Sequence, residues 1–320
     1  MGGRSAGKGN PRRPQAVMMS KRANVFYLEH VRVMQKDERI VYLTEARDGV
    51  QQFVSIPDRN TAFVLLGKGT SITDSAARKL SESNVMIGFC GSGGSPLVGV
   101  TDAVFMAPQD EYRPTQYAQR WFALWSDEAS RLEVARTFLR HRSDLDRTLY
   151  AQLDIDMPAE VFEVFDASVD RCASTTDLLV AEAHFAKKLY HHFARLHRLG
   201  AFSRDHGAGK SQTDEQRING FLDHGNYLAY GYAAVALHTM GIPFFLPVLH
   251  GKTRRGALVF DVADLVKDWL VMPAAFLSGA KGEDSGTFRS RIIDLAIQFD
   301  VLDQLMTFVG NVVEIDSSNQ

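Results

Sequence analysis

The chain has 320 residues, 45% of them hydrophobic and 10% aromatic, which excludes a disordered or collagen-like polymer and provides for two modest domains with their own cores. Lys and Arg number 36 against 38 Asp and Glu, a net charge of -2, so no global field draws a polyanion and any nucleic-acid contact must be local. Two cysteines, Cys90 and Cys172, exclude a disulfide framework and a structural zinc cluster.

Residues 1–22 are basic and rich in Gly and Pro but lack the apolar segment of a secretory signal, so a flexible tail is expected there. From residue 23 short β-rich runs alternate with turn chemistry, at 24–28, 39–43, 51–56, 61–66, 85–90 and 96–100. Asp48-Gly49, Gly67, Gly69 and Gly91-Ser-Gly-Gly-Ser95 punctuate them, which predicts a small β-rich domain over 23–107. One helix interrupts it over 74–83, capped by Thr73 with Ala76, Ala77 and Leu80 on one side. The character changes near 106–114. Helical periodicity then predicts helices over 115–128, 128–140, 158–172, 176–199, 214–240, 261–277 and 286–306, an all-α domain spanning 114–320. The longest apolar run, Ile242-Pro-Phe-Phe-Leu-Pro-Val-Leu249, is proline-broken and far short of the roughly 18 residues of a membrane span. The fold expected is α+β, a small β-rich N-terminal domain followed by a larger all-α domain, in a cytoplasmic protein.

Two helical segments carry the chemistry. The helix around Val180-Ala-Glu-Ala183 has an apolar stripe at 178, 185, 186, 189 and 193, and Glu182 falls inside it. A carboxylate on a core face needs a cation, a metal or strong donors, because burial disfavours its ionised form. An Arg partner in a structural ion pair answers that need as well as a metal, and this segment leaves both open. Downstream, Pro247-Val-Leu-His-Gly-Lys-Thr-Arg-Arg-Gly-Ala-Leu-Val-Phe-Asp-Val-Ala-Asp264 reads as apolar run, basic turn, strand and helix start. The turn can bring His250 and Asp264 to one point. Alternatively Asp261 is a helix N-cap and Asp264 the N3 carboxylate, with no chemistry. Two carboxylates and an imidazole suit Mg²⁺ or Mn²⁺ better than a soft-ligand metal. The basic turn Lys252-Thr-Arg-Arg255 would then stand beside the ion as a phosphate clamp through Lys252, Arg254 and Arg255, and Lys267, one helical turn beyond Asp264, points the same way.

Other motifs fail. Gly67-Lys-Gly-Thr has Ala62 where a phosphate-binding loop wants Gly, and Gly91-Ser-Gly-Gly leads into a further strand rather than a helix. Beyond the tail no G-x-S-x-G elbow occurs, Cys172 has no positioned His, and His184, His191 and His192 read as surface or packing residues.

These residues resemble the CRISPR-associated integrase, the nuclease of spacer acquisition, and within it the subtype I-F branch. The N-terminal likeness lies in Leu65-Leu-Gly-Lys-Gly-Thr-Ser-Ile-Thr73, Ala76, Ala77 and Val85-Met-Ile-Gly-Phe-Cys-Gly-Ser-Gly-Gly. The C-terminal likeness lies in Val180-Ala-Glu-Ala183, Asn226-Tyr-Leu-Ala-Tyr-Gly231, His250 and Phe260-Asp-Val-Ala-Asp264. Phe202-Ser-Arg-Asp205 and Leu222-Asp-His-Gly-Asn-Tyr227 carry the subtype. Ala183 departs from the Gly of many relatives.

The resemblance implies a metal held by Glu182, His250 and Asp264, with Asp261 and Tyr230 at or beside the active site. It implies insertion of captured double-stranded DNA fragments into repeat DNA by attack of a 3′-hydroxyl on a phosphodiester. It also implies a homodimer formed through the N-terminal domain and bridged by a ferredoxin-like adaptation protein, fused in this branch to the interference helicase-nuclease. Two rivals stand beside it: a non-catalytic DNA-binding scaffold whose triad is a buried structural network, and a junction-specific repair nuclease using the same site.

Overall fold

The computed structural model describes residues 18, 21–22, 24–45, 51–90, 104–106, 115–200, 202–205, 213–251 and 256–315. The turn at 91–95, the strand expected at 96–100 and the basic turn at 252–255 lie outside them. Of the span expected as a tail, Lys21 and Arg22 are among the described residues and are tied to the fold. Lys21 pairs with Asp303 at 2.9 Å, and the buried Arg22 guanidinium donates to the Thr61 and Asn84 carbonyls at 3.0 and 3.1 Å.

In chain order the described strands are β1 (Asn24–Leu28), β2 (Arg32–Lys36), β3 (Arg39–Glu45), β4 (Gln51–Ile56), β5 (Thr61–Leu66), β6 (Ser71–Ile72), β7 (Met86–Phe89) and β8 (Val104–Met106). Helix α1 (Asp74–Glu82) precedes β7, and Thr73 caps it by accepting from the Ala76 N–H. One sheet runs β1-β5-β7-β8, parallel except for β8, and the other runs β4-β3-β2-β6. Strand β2 escapes a reading by β-propensity, since Arg32-Val-Met-Gln-Lys36 is mostly polar. It pairs with β3 across Asp37 and Glu38, whose φ of 47° and 62° supply the left-handed residues of a two-residue hairpin turn.

Strand β5 is buried along its whole length, as a central parallel strand must be. Its alternation feeds two cores. Val64 and Leu66 join Ile40, Ile56, Ala76 and Leu80 in the small N-terminal core. Phe63 and Leu65 join the large core of the helical region instead.

That region comprises α2 (Thr115–Ser126), α3 (Glu128–Gln152), α4 (Ala159–Arg171), α5 (Thr175–Leu196), α6 (Asp214–Thr239), α7 (Ala257–Val266), α8 (Met272–Ala280), α9 (Ser285–Gln298) and α10 (Val301–Ile315). Side-chain caps start several of them: Asp127 on α3, Ser174 on α5, Asp284 on α9, and Thr213 with Gln216 as a capping box on α6. The chain is thus α+β, a small β-rich N-terminal part followed by a larger helical one. No helix among the described residues is long and apolar enough to cross a membrane.

Three helices depart from the sequence reading. Helix α3 runs on to Gln152 instead of ending at Arg140. Its buried stripe continues Phe138, Leu139, Arg142, Asp146, Leu149, Tyr150, and charged residues on that face hide the amphipathic pattern. The strand expected before Asp261 is the first turn of α7, which follows Gly256 at φ 72°. Nine of its ten residues, all but Phe260, are buried, so its apolar run lacks the 3.6 periodicity that separates helix from strand. The helix expected over 286–306 is broken by Asp300 at φ 49°.

Between α7 and α8 the residues Lys267–Val271 form a π-turn, with the Met272 N–H bonded to the Lys267 carbonyl. Pro273 explains the wider turn, since it has no N–H to offer residue 269 and its ring crowds that carbonyl in an α-helix.

The two parts of the chain meet where Phe63 packs edge-on against Tyr232 of α6 at 5.2 Å. The buried His224 lies between Tyr27 and Phe288, at ring distances of 5.5 and 5.8 Å. Burial, with a smaller push from Arg289 and against the pull of Glu29, lowers the His224 imidazole to about 4. An unfolded chain takes up that proton near 6.5, so the stability His224 provides is complete above 6.5 and is lost as pH falls toward 4. Relative to pH 7.5 the loss is about 2 kcal/mol by pH 5. Urea unfolding of His224→Phe should therefore show a flatter profile between pH 7.5 and 5 than the parent by about that amount.

Candidate metal centre

Helix α5 buries Leu178, Ala181, Phe185, Leu189 and Phe193, and Glu182 stands at the edge of that face with its side chain 13% exposed. It turns toward α3 and α7 across a cavity of about 340 Å³. His250 closes the segment 242–250, whose backbone is held by Trp121 and Trp125. Their indole N–H groups donate to the Leu246 and Pro247 carbonyls at 3.0 and 2.8 Å.

Asp264 and Asp261 both come from α7, one turn apart, and the helix directs them differently. Asp261 accepts from the backbone N–H groups of Val248, Leu249 and His250 at 2.7, 3.2 and 2.9 Å, and from His250 Nδ1 at 2.7 Å. It therefore caps the preceding loop and orients the imidazole; it is not the N-cap of α7, a place taken by Gly256. With Nδ1 donating to Asp261, Nε2 is left to face Asp264 Oδ2 at 3.7 Å. One ligand atom from each of Glu182, His250 and Asp264 lies within 4.8 Å of the other two.

The charges explain why this cluster needs cations. Burial and the Asp264 charge push Glu182 above the usual carboxylate range while Arg142 opposes them. Burial also acts against the Asp264 carboxylate, but Lys267, Arg142 and His250 outweigh it and hold the group below that range. Lys267, paired with Asp264 one turn away, stays firmly protonated despite its burial. Burial works against the charged His250 imidazole, yet Asp261, Asp264 and Glu182 raise its affinity for a proton. Two carboxylates and an imidazole nitrogen form a donor set that a hard divalent cation fits.

Of the partners that the sequence left open for Glu182, the Arg is present as Arg142, and the carboxylate also lies close to His250 and Asp264 in a group that could hold a metal ion. Tyr230 packs edge-on against Phe260 at 4.7 Å with the Lys267 ammonium over its ring at 5.3 Å. It supports Lys267 and is not among the cavity-lining residues described. Lys252, Arg254 and Arg255 lie outside the described residues. The sequence reading missed Arg142, Asp268 and Asp146. Arg142 meets Asp268 Oδ2 with Nε at 2.7 Å and Nη2 at 2.6 Å. Asp146 lies fully buried against Asp268, and burial with that neighbouring charge pushes its carboxyl well above the usual carboxylate range. For Arg142 and Asp146 the signal was present as charged residues on a mostly apolar helical face.

A family model described as CRISPR associated protein Cas1 matches residues 26–284, a span holding every ligand candidate. The chain belongs to this Cas1 family. It is 41% identical to a CRISPR-associated endonuclease Cas1 of Pseudomonas aeruginosa, covering 95% of this chain and 97% of that one. It is 40% identical to the Pectobacterium atrosepticum protein of the same name, covering 95% of each. Among solved structures, a casposase bound to integration product superposes with a TM-score of 0.68 at 14% identity, over 91% of this chain and 90% of the other. At that identity the likeness speaks for the fold alone.

Asp261→Asn keeps the size of the side chain but points an amide N–H₂ at backbone donors. Urea unfolding should show a loss of about 2–4 kcal/mol. A loss within experimental error would remove Asp261 from its role as the loop's acceptor.

Proposed function

We propose that this chain is a metal-dependent DNA integrase and endonuclease of CRISPR adaptation, which inserts captured double-stranded fragments as new spacers into repeat DNA. The convergence of Glu182, His250 and Asp264 on one point of a cavity, in a chain of the Cas1 family, carries the reading. Glu182 and Asp264 would hold Mg²⁺ or Mn²⁺ through carboxylate oxygens and His250 through the Nε2 that Asp261 turns toward it. When bound, the ion supplies charge neutralisation at the phosphate and favours the deprotonated nucleophile.

The attacking 3′-oxygen forms a bond to phosphorus as the bond from phosphorus to the displaced 3′-oxygen breaks. The proton of the first hydroxyl is released and the displaced oxygen is protonated. The number of phosphodiester bonds is unchanged, so no energy cofactor is required. Lys267 keeps its positive charge in the cavity beside Asp264, where it would face the developing negative charge of the phosphate. Lys252, Arg254 and Arg255 would grip the DNA backbone.

Joining both ends of one fragment needs two such sites. A homodimer, formed through the β-rich part over 23–107 and bridged by a ferredoxin-like adaptation protein fused to the interference helicase-nuclease, would supply them, while 114–320 carries the chemistry. The work would be done in the cytoplasm, where the array lies.

The non-catalytic scaffold keeps one observation in its favour, the pairing of Glu182 with Arg142. Half-integrated DNA incubated with Mn²⁺ separates the readings. The parent should release and rejoin strands, and Glu182→Ala and Asp264→Ala should bind the DNA while losing at least about 100-fold of the rate, as expected when metal ligation is lost. Strand transfer at the parent rate by folded Asp264→Ala would overturn the catalytic assignment. Cleavage without joining would point to the junction nuclease instead.

A further inference from the structure

We propose that Arg142 is a positioning residue for the divalent ion: anchored on Asp268, it holds Glu182 by Oε1 and so presents Oε2 to His250 and Asp264. This rests on the reading of those three residues as metal ligands. Helix α3 grips Asp268 from one face. Arg142, Asp146 and Tyr150 follow at spacings of four, and the Tyr150 hydroxyl donates to the Asp268 backbone carbonyl at 2.9 Å. Two guanidinium nitrogens rest on Asp268 Oδ2 and the third, Nη1, meets Glu182 Oε1. Arg142 is buried, with 4% of its side chain exposed, so water does not compete for these bonds. A planar guanidinium engaged on one carboxylate has a fixed direction for its remaining donors, and Glu182 must follow that direction.

A purely electrostatic role makes the opposite forecast. A cation beside a metal site repels the metal, so removing Arg142 would tighten binding by Coulomb's law. Positioning requires binding to weaken, and to weaken even when the charge is kept. Lysine keeps the charge but offers a single ammonium on a flexible stem, which cannot span Asp268 and Glu182 in a fixed plane.

The test is the Mn²⁺ dissociation constant of the full chain without DNA, read from the free-ion signal in electron paramagnetic resonance, with thermal unfolding alongside. Arg142→Lys and Asp268→Asn should each weaken Mn²⁺ binding at least about 10-fold, a loss worth about 1.4 kcal/mol, and Arg142→Gln should weaken it too. Binding by Arg142→Lys and Asp268→Asn within twofold of the parent, or tighter binding by Arg142→Gln, overturns the proposal. Should the Arg142 variants fail to fold, Asp268→Glu decides, since it keeps the charge while moving the anchor: binding weakened at least about 10-fold supports positioning, and binding within twofold of the parent overturns it. A parent that binds no Mn²⁺ instead sinks the metal reading itself, an outcome separable from Arg142 variants that bind normally.

Discussion

Two largely buried carboxylates brought together repel each other and resist ionisation, and the arrangement around Glu182 and Asp264 follows from that constraint. Each carboxylate has its own fixed cation. Arg142 from α3 takes Glu182, and Lys267, one turn along the same helical segment, takes Asp264. One ligand atom from each of Glu182, His250 and Asp264 remains close enough to the others to share one ion. Behind this layer, Asp261 ties the loop to α7 and Asp268 ties α7's continuation to α3, so positions are set by hydrogen bonds whose own partners are buried. Removing one member of such a network strands another in low dielectric, which couples the geometry of the site to the stability of the helical core.

The fold delivers these groups from distant parts of the chain. Helices α3, α5 and α7 converge because their apolar faces share one core. The π-turn at Lys267–Val271 lets α8 continue after Pro273 while Asp264, Lys267, Asp268 and Met272 all reach the cavity wall. Strand β5 joins the β-rich part to the same core through Phe63, packed on Tyr232 beside the Tyr230 that supports Lys267. The strand pairing and the site are thus two faces of one packed body.

Much of this was legible in the sequence, for identifiable reasons. Glu182 stood out because a charge interrupts an apolar stripe of otherwise clean period, and the strands β1, β3, β4 and β5 stood out as β-branched or aromatic runs between turns. Arg142 and Asp146 obey the same logic as Glu182, yet two charges on one buried face erased the amphipathic signal of α3 and ended the expected helix early. Helix α7 failed for the opposite cause, uniform burial that leaves no polar face to mark the period. The role of Asp261 was hidden because its partners are backbone N–H groups, which any sequence supplies. Asp300, Asp37 and Glu38 in left-handed conformations have no strong residue signature either, since glycine is the usual marker of such positions.

The most direct test of the account is diffraction from crystals soaked in Mn²⁺, with the ion located by its anomalous scattering. The account predicts one peak in the cavity, about 2.0–2.3 Å from a Glu182 oxygen, an Asp264 oxygen and His250 Nε2. A peak ligated by other residues and out of reach of Glu182, or an empty cavity in crystals that take up Mn²⁺ elsewhere, would contradict it.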